Sequence, residues 1–321
     1  ELFGGKVDMV QSPRQPGSSF KPFVYGATFE KGYSPATILY DVPTKIGDDE
    51  PQNFDGQFWG MLSARRALAG SRNIPAAKAF FLAGGEENVL DFASKLGVTG
   101  PREQRNLLST GSGKTFEYGW PLALGAGETP LAQMVTGYAT YANGGLHRNL
   151  VAITRIKDKR GNILYDATTA QAGVQVIDAR IAALITSVLS DVSARPNAYW
   201  QNILTVAGYQ AAAKTGTSNK CIEKGDKGVC KVRRPLDLWT VGYTPNIVTG
   251  IWIGNANSAP LSDKAEALTI ASPIWQDYMN RAHKLLKNPK TNFDIPDGIV
   301  QPQISALSGE LPTECTPVAA R

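Results

Sequence analysis

Histidine is nearly missing from this chain, which holds two in 321 residues, and cysteine is present three times. Two histidines, His147 and His283, leave little material for a Ser-His-Asp triad. His283 sits among Arg281, Lys284 and Lys287, and His147 follows Gly144-Gly145-Leu146, so both are expected at the surface. Three cysteines without CxxC-type spacing make no zinc framework. No apolar run approaches the roughly 18 residues that a membrane-spanning helix needs. The chain begins at Glu1 with no initiator Met and no signal-peptide pattern, so the expectation is an excised piece with any anchor upstream. Charge is sparse, at 19% of residues, and the net charge is only +5. Basic residues scatter, apart from Lys224 to Arg234, which reads as a solvated basic loop compatible with a weak preference for anionic polymers or lipid surfaces. Nucleic-acid binding is not expected.

What is present is a sizeable apolar fraction, 42%, in an order that specifies a fold class. Pro16-Gly17 stops the chain, and Ser18 is placed as the N-cap of an apolar helix reaching about Lys31, with Pro22 in its first turn. Residues 33–58 read as an extended loop. Helices are expected over Leu62–Ala69, Pro75–Ala83 and Glu86–Leu96, then a Gly-rich irregular stretch over 98–128. Thr129-Pro130 opens a helix as cap and first residue, and Asn143-Gly144-Gly145 ends it. A hairpin is expected over Val151–Tyr165 and a helix over Asp178–Ser190. Strands follow at Tyr209–Thr217, Leu238–Tyr243 and Ile247–Asn255, then a helix over Pro273–Leu286. Strands without βαβ crossovers make this an α+β fold with an antiparallel sheet.

Three short motifs occur in order: Ser18-Ser19-Phe20-Lys21, Ser71-Arg72-Asn73 and Lys214-Thr215-Gly216. A hydroxyl three residues before a lysine on one helical face lets the amine reach it. Serine is a weak nucleophile until a base removes its proton, and a lysine serves once burial and a neighbouring cation, here Lys214, lower its pKa. Ser71 and Asn73, in a loop between two helical runs, can relay a proton to a leaving amine and hold a peptide carbonyl. Lys214-Thr215-Gly216 closes a strand of small residues, where Gly216 lets a substrate lie alongside as an added strand and Lys214 with Thr217 meet a carboxylate. Each motif alone also fits a bland reading: a capped helix with a solvated lysine, a pair of cap residues, a strand end. Gly111-Ser112-Gly113-Lys114-Thr115 imitates a P-loop, but Leu108 stands where its first glycine belongs.

Taken together, the motifs and their surroundings resemble the transpeptidase domain of the class A (bifunctional) penicillin-binding proteins. The similarity covers about residues 10–285: Arg14 through Phe23, Asn53-Phe54-Asp55-Gly56, Ala67 through Ala76, Leu124 through Pro130, Tyr141 through Gly145, Lys214-Thr215-Gly216-Thr217 and Val241 through Pro245. The resemblance implies a serine β-lactamase/DD-peptidase-like fold, an antiparallel sheet packed by helices plus an all-helical subdomain. It implies one transpeptidase domain over 1–321, with the glycosyltransferase domain and membrane anchor lying upstream. The activity implied is DD-transpeptidation of peptidoglycan stem peptides through an acyl-enzyme on Ser18, inhibited by β-lactam antibiotics. Ser18, Lys21, Ser71 and Lys214 would be catalytic; Asn73, Thr215, Gly216 and Thr217 would bind substrate; the N–H groups of Ser18 and Thr217 would form the oxyanion hole. No cofactor and no metal are implied, the location is extracytoplasmic, and other cell-wall synthesis proteins are candidate partners. A DD-carboxypeptidase, a β-lactamase or β-lactam sensor on the same fold, and a non-catalytic scaffold module are the alternatives. The sequence departs from the family in Thr217-Ser218, where two threonines are common, and in Cys221–Arg234, which reads as an insertion or variable loop. An oxidising compartment implies a Cys221–Cys230 disulfide, with Gly225 and Gly228 allowing a tight turn.

Overall fold

The computed structural model describes residues 5–167, 173–225, 230–305 and 307–317, with Ser112 described by its backbone alone. The helices are α1 (Lys21–Glu30), α2 (Ala64–Ala69), α3 (Asn73–Leu82), α4 (Glu86–Lys95), α5 (Gly100–Ser112), α6 (Leu131–Ala142), α7 (Ala179–Leu189), α8 (Ala198–Ile203) and α9 (Ala267–Leu286). The strands are β1 (Ile38–Asp41), β2 (Gly60–Ser63), β3 (Leu146–His147), β4 (Arg155–Lys157), β5 (Ile163–Asp166), β6 (Val174–Gln175), β7 (Ala212–Lys224), β8 (Cys230–Tyr243) and β9 (Val248–Gly254). Every strand pairing is antiparallel, and the main sheet has the order β7-β8-β9. The α+β expectation is met.

Helix α1 is the hub. Its residues Lys21 through Phe29 are all buried, so it shows no polar face, as a helix enclosed on every side requires. It packs on α3, α4 and α7, and Phe23 meets Tyr138 and Tyr141 of α6 at ring-centroid distances of 5.8 Å. The sheet is covered on both faces. Trp275 of α9 lies against Gly242, and Leu131 with Val135 of α6 lies against Gly250, each too close to leave room for a Cβ on the glycine.

Several local expectations are corrected. Ser18 does not cap α1. It sits inside a 3₁₀ turn, Gly17–Phe20, that leads straight into the helix, while the Ser19 hydroxyl donates to the Pro16 carbonyl at 2.7 Å. The stretch 98–128 is not irregular throughout: α5 starts at Gly100-Pro101 and stops at Gly113, whose φ is +66°. Its glycines mark the ends of a helix rather than its absence. The P-loop look-alike therefore falls at a helix C-terminus, where the backbone offers carbonyls instead of the N–H groups a phosphate needs. Pro130, not Thr129, caps α6, and Thr129 pairs through its backbone with Arg14. Residues 33–58 contain β1, which pairs with β2. Helix α9 begins six residues before Pro273 and carries that proline inside it. His283 is buried, stacked on Tyr209 at 3.8 Å and hydrogen-bonded to Thr244 at 3.0 Å, so it is a core residue.

The third motif does not close its strand. Lys214 is the third residue of β7, and the ladder with β8 runs on from Ala212↔Tyr243 to Lys224↔Cys230. The described part of Cys221–Arg234 is thus the far half of a long hairpin rather than a loop. Cys221 and Cys230 are joined by a disulfide, with Cα atoms 5.7 Å apart. Gly228 lies outside the described residues.

Candidate active site

The nucleophile turn is wedged between two glycine surfaces. Gly17 has a φ of +55°, and a Cβ there would lie 2.5 Å from the Thr217 carbonyl oxygen. Gly125, at φ +76°, would put a Cβ 2.2 Å from the Gly17 oxygen. Only glycine combines that backbone with that proximity. Gly216 of β7 faces Pro16 and Ser19 equally closely. From the helical side, Tyr138 donates to the Ser19 carbonyl at 2.7 Å and Tyr141 to the Pro22 carbonyl at 2.9 Å. The turn is thereby fixed against the β7 edge, and Ser18 stays partly open to solvent between buried neighbours.

Two buried amines meet at Ser71. The Lys21 side chain is 0% exposed; its Nζ donates to the Ser71 carbonyl at 2.6 Å and to Asn73 Oδ1 at 2.8 Å, and lies 3.5 Å from Ser71 Oγ. Lys214 is 2% exposed; its Nζ donates to Ser71 Oγ at 2.7 Å and to the Thr215 carbonyl at 3.1 Å. The four side chains Lys21, Ser71, Asn73 and Lys214 are one hydrogen-bonded unit. Among the described residues the Ser18 hydroxyl has no partner: the amine expected to hold it is turned to Ser71 and Asn73. Burial is the main force lowering the Lys21 pKa well below the ordinary lysine value, helped by the charges of Lys214 and Arg72 and opposed by Asp41. Burial alone brings Lys214 down to about 7.

A second layer, not assigned from the sequence, holds Ser71 and Asn73. Ser71 has a φ of +56°, an unfavourable backbone for a non-glycine residue. The next residue, Arg72, is buried; its Nε donates to Asp41 Oδ2 at 2.8 Å, one terminal nitrogen donates to Asp55 at 2.8 Å, and the other to the Gln57 carbonyl. The Arg72 guanidinium also lies 4.2 Å from the Trp59 ring centroid. Asn53 donates to Asp41 Oδ1 at 2.6 Å and accepts from the Asn73 N–H at 2.8 Å. The side-chain amide of Asn73 donates to the Gln52 carbonyl at 2.8 Å, which leaves its Oδ1 aimed at Lys21. Asn53 and Asp55 belong to a segment that the sequence resemblance had flagged. Asp41, at the end of a short strand, carried no signal.

Thr215, Gly216 and Thr217 lie along β7, which within the described residues is paired only to β8 and so presents its other edge to the cleft. Ser218 does not repeat Thr217: it is buried, and its hydroxyl donates to Asp237 at 2.6 Å. A small recess beside Lys214 is lined by Ala69, Leu189, Arg195, Trp200 and Thr215.

The chain as a whole has counterparts among known proteins. The family model "Penicillin binding protein transpeptidase domain" matches residues 5–280. The chain belongs to that family. Among curated proteins it is 30% identical over 304 residues to penicillin-binding protein 1A of Neisseria lactamica, covering 91% of this chain and 34% of the relative. The chain thus spans about a third of the length of the curated relatives it matches. Among solved structures, PonA1 from Mycobacterium tuberculosis in complex with penicillin V is 27% identical with a TM-score of 0.74, covering 90% of this chain and 73% of that one. Penicillin-binding protein 1A from Haemophilus influenzae, 24% identical, shares the fold with a TM-score of 0.78 over 98% of this chain and 48% of that one. The class A resemblance and the fold class expected from the sequence both hold.

Proposed function

We propose that this member of the penicillin-binding transpeptidase family is a peptidoglycan DD-transpeptidase working through a Ser18 acyl-enzyme outside the cytoplasm. The observation that carries the reading is the pair of buried amines on Ser71, one of them three residues along the chain from a half-open serine. A neutral Lys21 has two N–H groups, and the Ser71 carbonyl and Asn73 Oδ1 take both. Its lone pair is then free to receive the Ser18 proton as Oγ attacks the penultimate D-Ala carbonyl. Ser71 Oγ accepts from Lys214, so its own hydrogen is free for the nitrogen of the leaving D-Ala. Lys214 can restore that proton, with a pKa of about 7 that suits both directions of transfer. In this reading the N–H groups of Ser18 and Thr217 form the oxyanion hole that stabilises the carbonyl oxygen as charge develops. The stem peptide adds to the open β7 edge at Thr215–Thr217, and an amine of a second stem resolves the acyl-enzyme. A disulfide farther along the same hairpin suits an oxidising compartment.

The test is labelling with a fluorescent penicillin, followed by intact-mass and peptide mapping. We expect one adduct, on Ser18, lasting many minutes. Ser18→Ala abolishes it, and Lys21→Ala slows it about 100-fold or more, the scale of a lost general base. Ser19→Ala changes the rate little, because the Ser19 hydroxyl is committed to the Pro16 carbonyl. An adduct on Ser19 or Ser71, or one lost within seconds, overturns the assignment.

A further inference from the structure

The third motif, Lys214 through Thr217, lies in the first half of β7. The hairpin runs on well past it, and its charge is unlike the rest of the chain. Residues 219–235 hold six basic and two acidic side chains, and so four of the chain's five net positive charges. In the described part, Lys220, Lys224, Lys231, Arg233 and Arg234 are all exposed. Lys220 stands directly across the ladder from Arg234. Like charges in a cross-strand pair destabilise a hairpin. Lys231 is neutralised by Glu223 at 3.1 Å, and Lys220 donates only to the Ser258 carbonyl at 3.3 Å. Among the described residues no carboxylate pairs with Lys224, Arg233 or Arg234.

This part of the hairpin is also largely uncovered among the described residues. Ile222 is 42% exposed and Val232 36%, and β9 ends at Gly254, opposite Asp237, short of the charged segment. A lone two-stranded ribbon is marginal in water, yet this one is clipped by the Cys221–Cys230 disulfide. A covalently fixed ribbon with cations that no described carboxylate neutralises is suited to meet something anionic.

We propose that this ribbon is a docking arm for the peptidoglycan strand, binding the carboxylates of its stem peptides next to the one being processed. The inference rests on the transpeptidase reading above. A donor peptide added at Thr215–Thr217 lies on the same β7 edge that continues to Lys224. At about 3.3 Å per residue, the seven positions beyond Thr217 reach on the order of 20 Å farther. That carries the arm from the reacting carbonyl to neighbouring anionic stems of the same polymer, where clustered cations raise local substrate concentration.

The experiment pairs two readouts on the whole chain. One is pelleting with insoluble peptidoglycan at low and high salt; the other is Ser18 labelling by penicillin, a ligand too small to touch the arm. We expect wild type to bind peptidoglycan in a salt-sensitive way. The triple variant K220Q/R233Q/R234Q weakens binding about tenfold, as three exposed ion pairs of ordinary strength would, while its labelling rate stays within about twofold. The charge-preserving K220R/R233K/R234K restores binding. Equal pelleting by wild type and the glutamine variant overturns the arm, and so does salt-sensitive binding to anionic phospholipid vesicles with none to peptidoglycan. A failure of the catalytic reading shows separately, as absence of a Ser18 adduct, and leaves the pelleting comparison to decide the arm.

Discussion

Replacing Lys214 by methionine is expected to stabilise the fold while ending catalysis. The amine is 2% exposed, and burial alone brings its pKa to about 7. An unfolded lysine titrates at about 10.4, so the folded state holds the proton more weakly, at a cost on the order of 4–5 kcal/mol at pH 7. Against this, methionine forfeits the hydrogen bonds to Ser71 Oγ and the Thr215 carbonyl, at about 1 kcal/mol each. The net gain at pH 7 is about 2–3 kcal/mol. For 321 residues the unfolding entropy is roughly 0.7 kcal/mol per kelvin, so the melting temperature rises by about 3–4 °C. The sign with pH is fixed by linkage. Between about 7 and ~10.4 the unfolded wild-type chain binds a proton that folded Lys214 has released, so wild-type stability climbs through this window. The variant lacks that group and lacks its slope, whereas Lys21 contributes to both proteins in the same sense. Urea unfolding at pH 7, 8.5 and 10 measures it: the advantage of Lys214→Met is largest at pH 7 and shrinks toward pH 10. A variant less stable than wild type at pH 7, or an advantage independent of pH, refutes the claim that burial sets this amine's pKa.

Two further perturbations test the scaffold. Gly17→Ala places a Cβ against the Thr217 carbonyl at a φ of +55°, and is expected to cost at least about 2 kcal/mol in urea unfolding and to slow penicillin acylation more than tenfold. Asp41→Ala leaves the buried Arg72 with Asp55 alone and frees Asn53 from its anchor. Its expected cost is about 3 kcal/mol, the low end for breaking a buried ion pair, with slower acylation because Asn73 loses its support; unchanged labelling would show that Asn73 is held by other means.

How far the sequence reveals this structure depends on the range of the interaction. Ser18 and Lys21 are legible because the spacing is local, and Pro22 then belongs to the first turn of α1 by its own chemistry. The core of α6 is legible from one apolar face, although its cap falls on Pro130 instead of Thr129. Helix α5 escapes because glycines at 100, 111 and 113 look like breakers when counted and turn out to be ends when placed. The first turns of α9 escape because an interior proline ordinarily stops a helix. Neither signal is wrong locally. Each is outvoted by packing that no short window contains.

The sharper limit concerns direction rather than position. The i, i+3 spacing puts Lys21 one helical turn from Ser18, but it cannot say where the amine points. That is set by Ser71 and Asn73, fifty and fifty-two residues away. Their carbonyl and amide oxygens are in turn set by Arg72 on Asp41 and by Asn53, which spans both sides. Asp41 is invisible in the sequence because a carboxylate at a strand end is usually solvated, and here it is fully buried only because Arg72 arrives from 31 residues away. The same layer carries most of the site's unfavourable features: a non-glycine residue at positive φ, a buried ion pair and two buried amines. Locally each lowers stability, and none follows from a propensity or a periodicity. Under the proposed mechanism they make sense together, because each fixes or tunes the amine that would take the Ser18 proton.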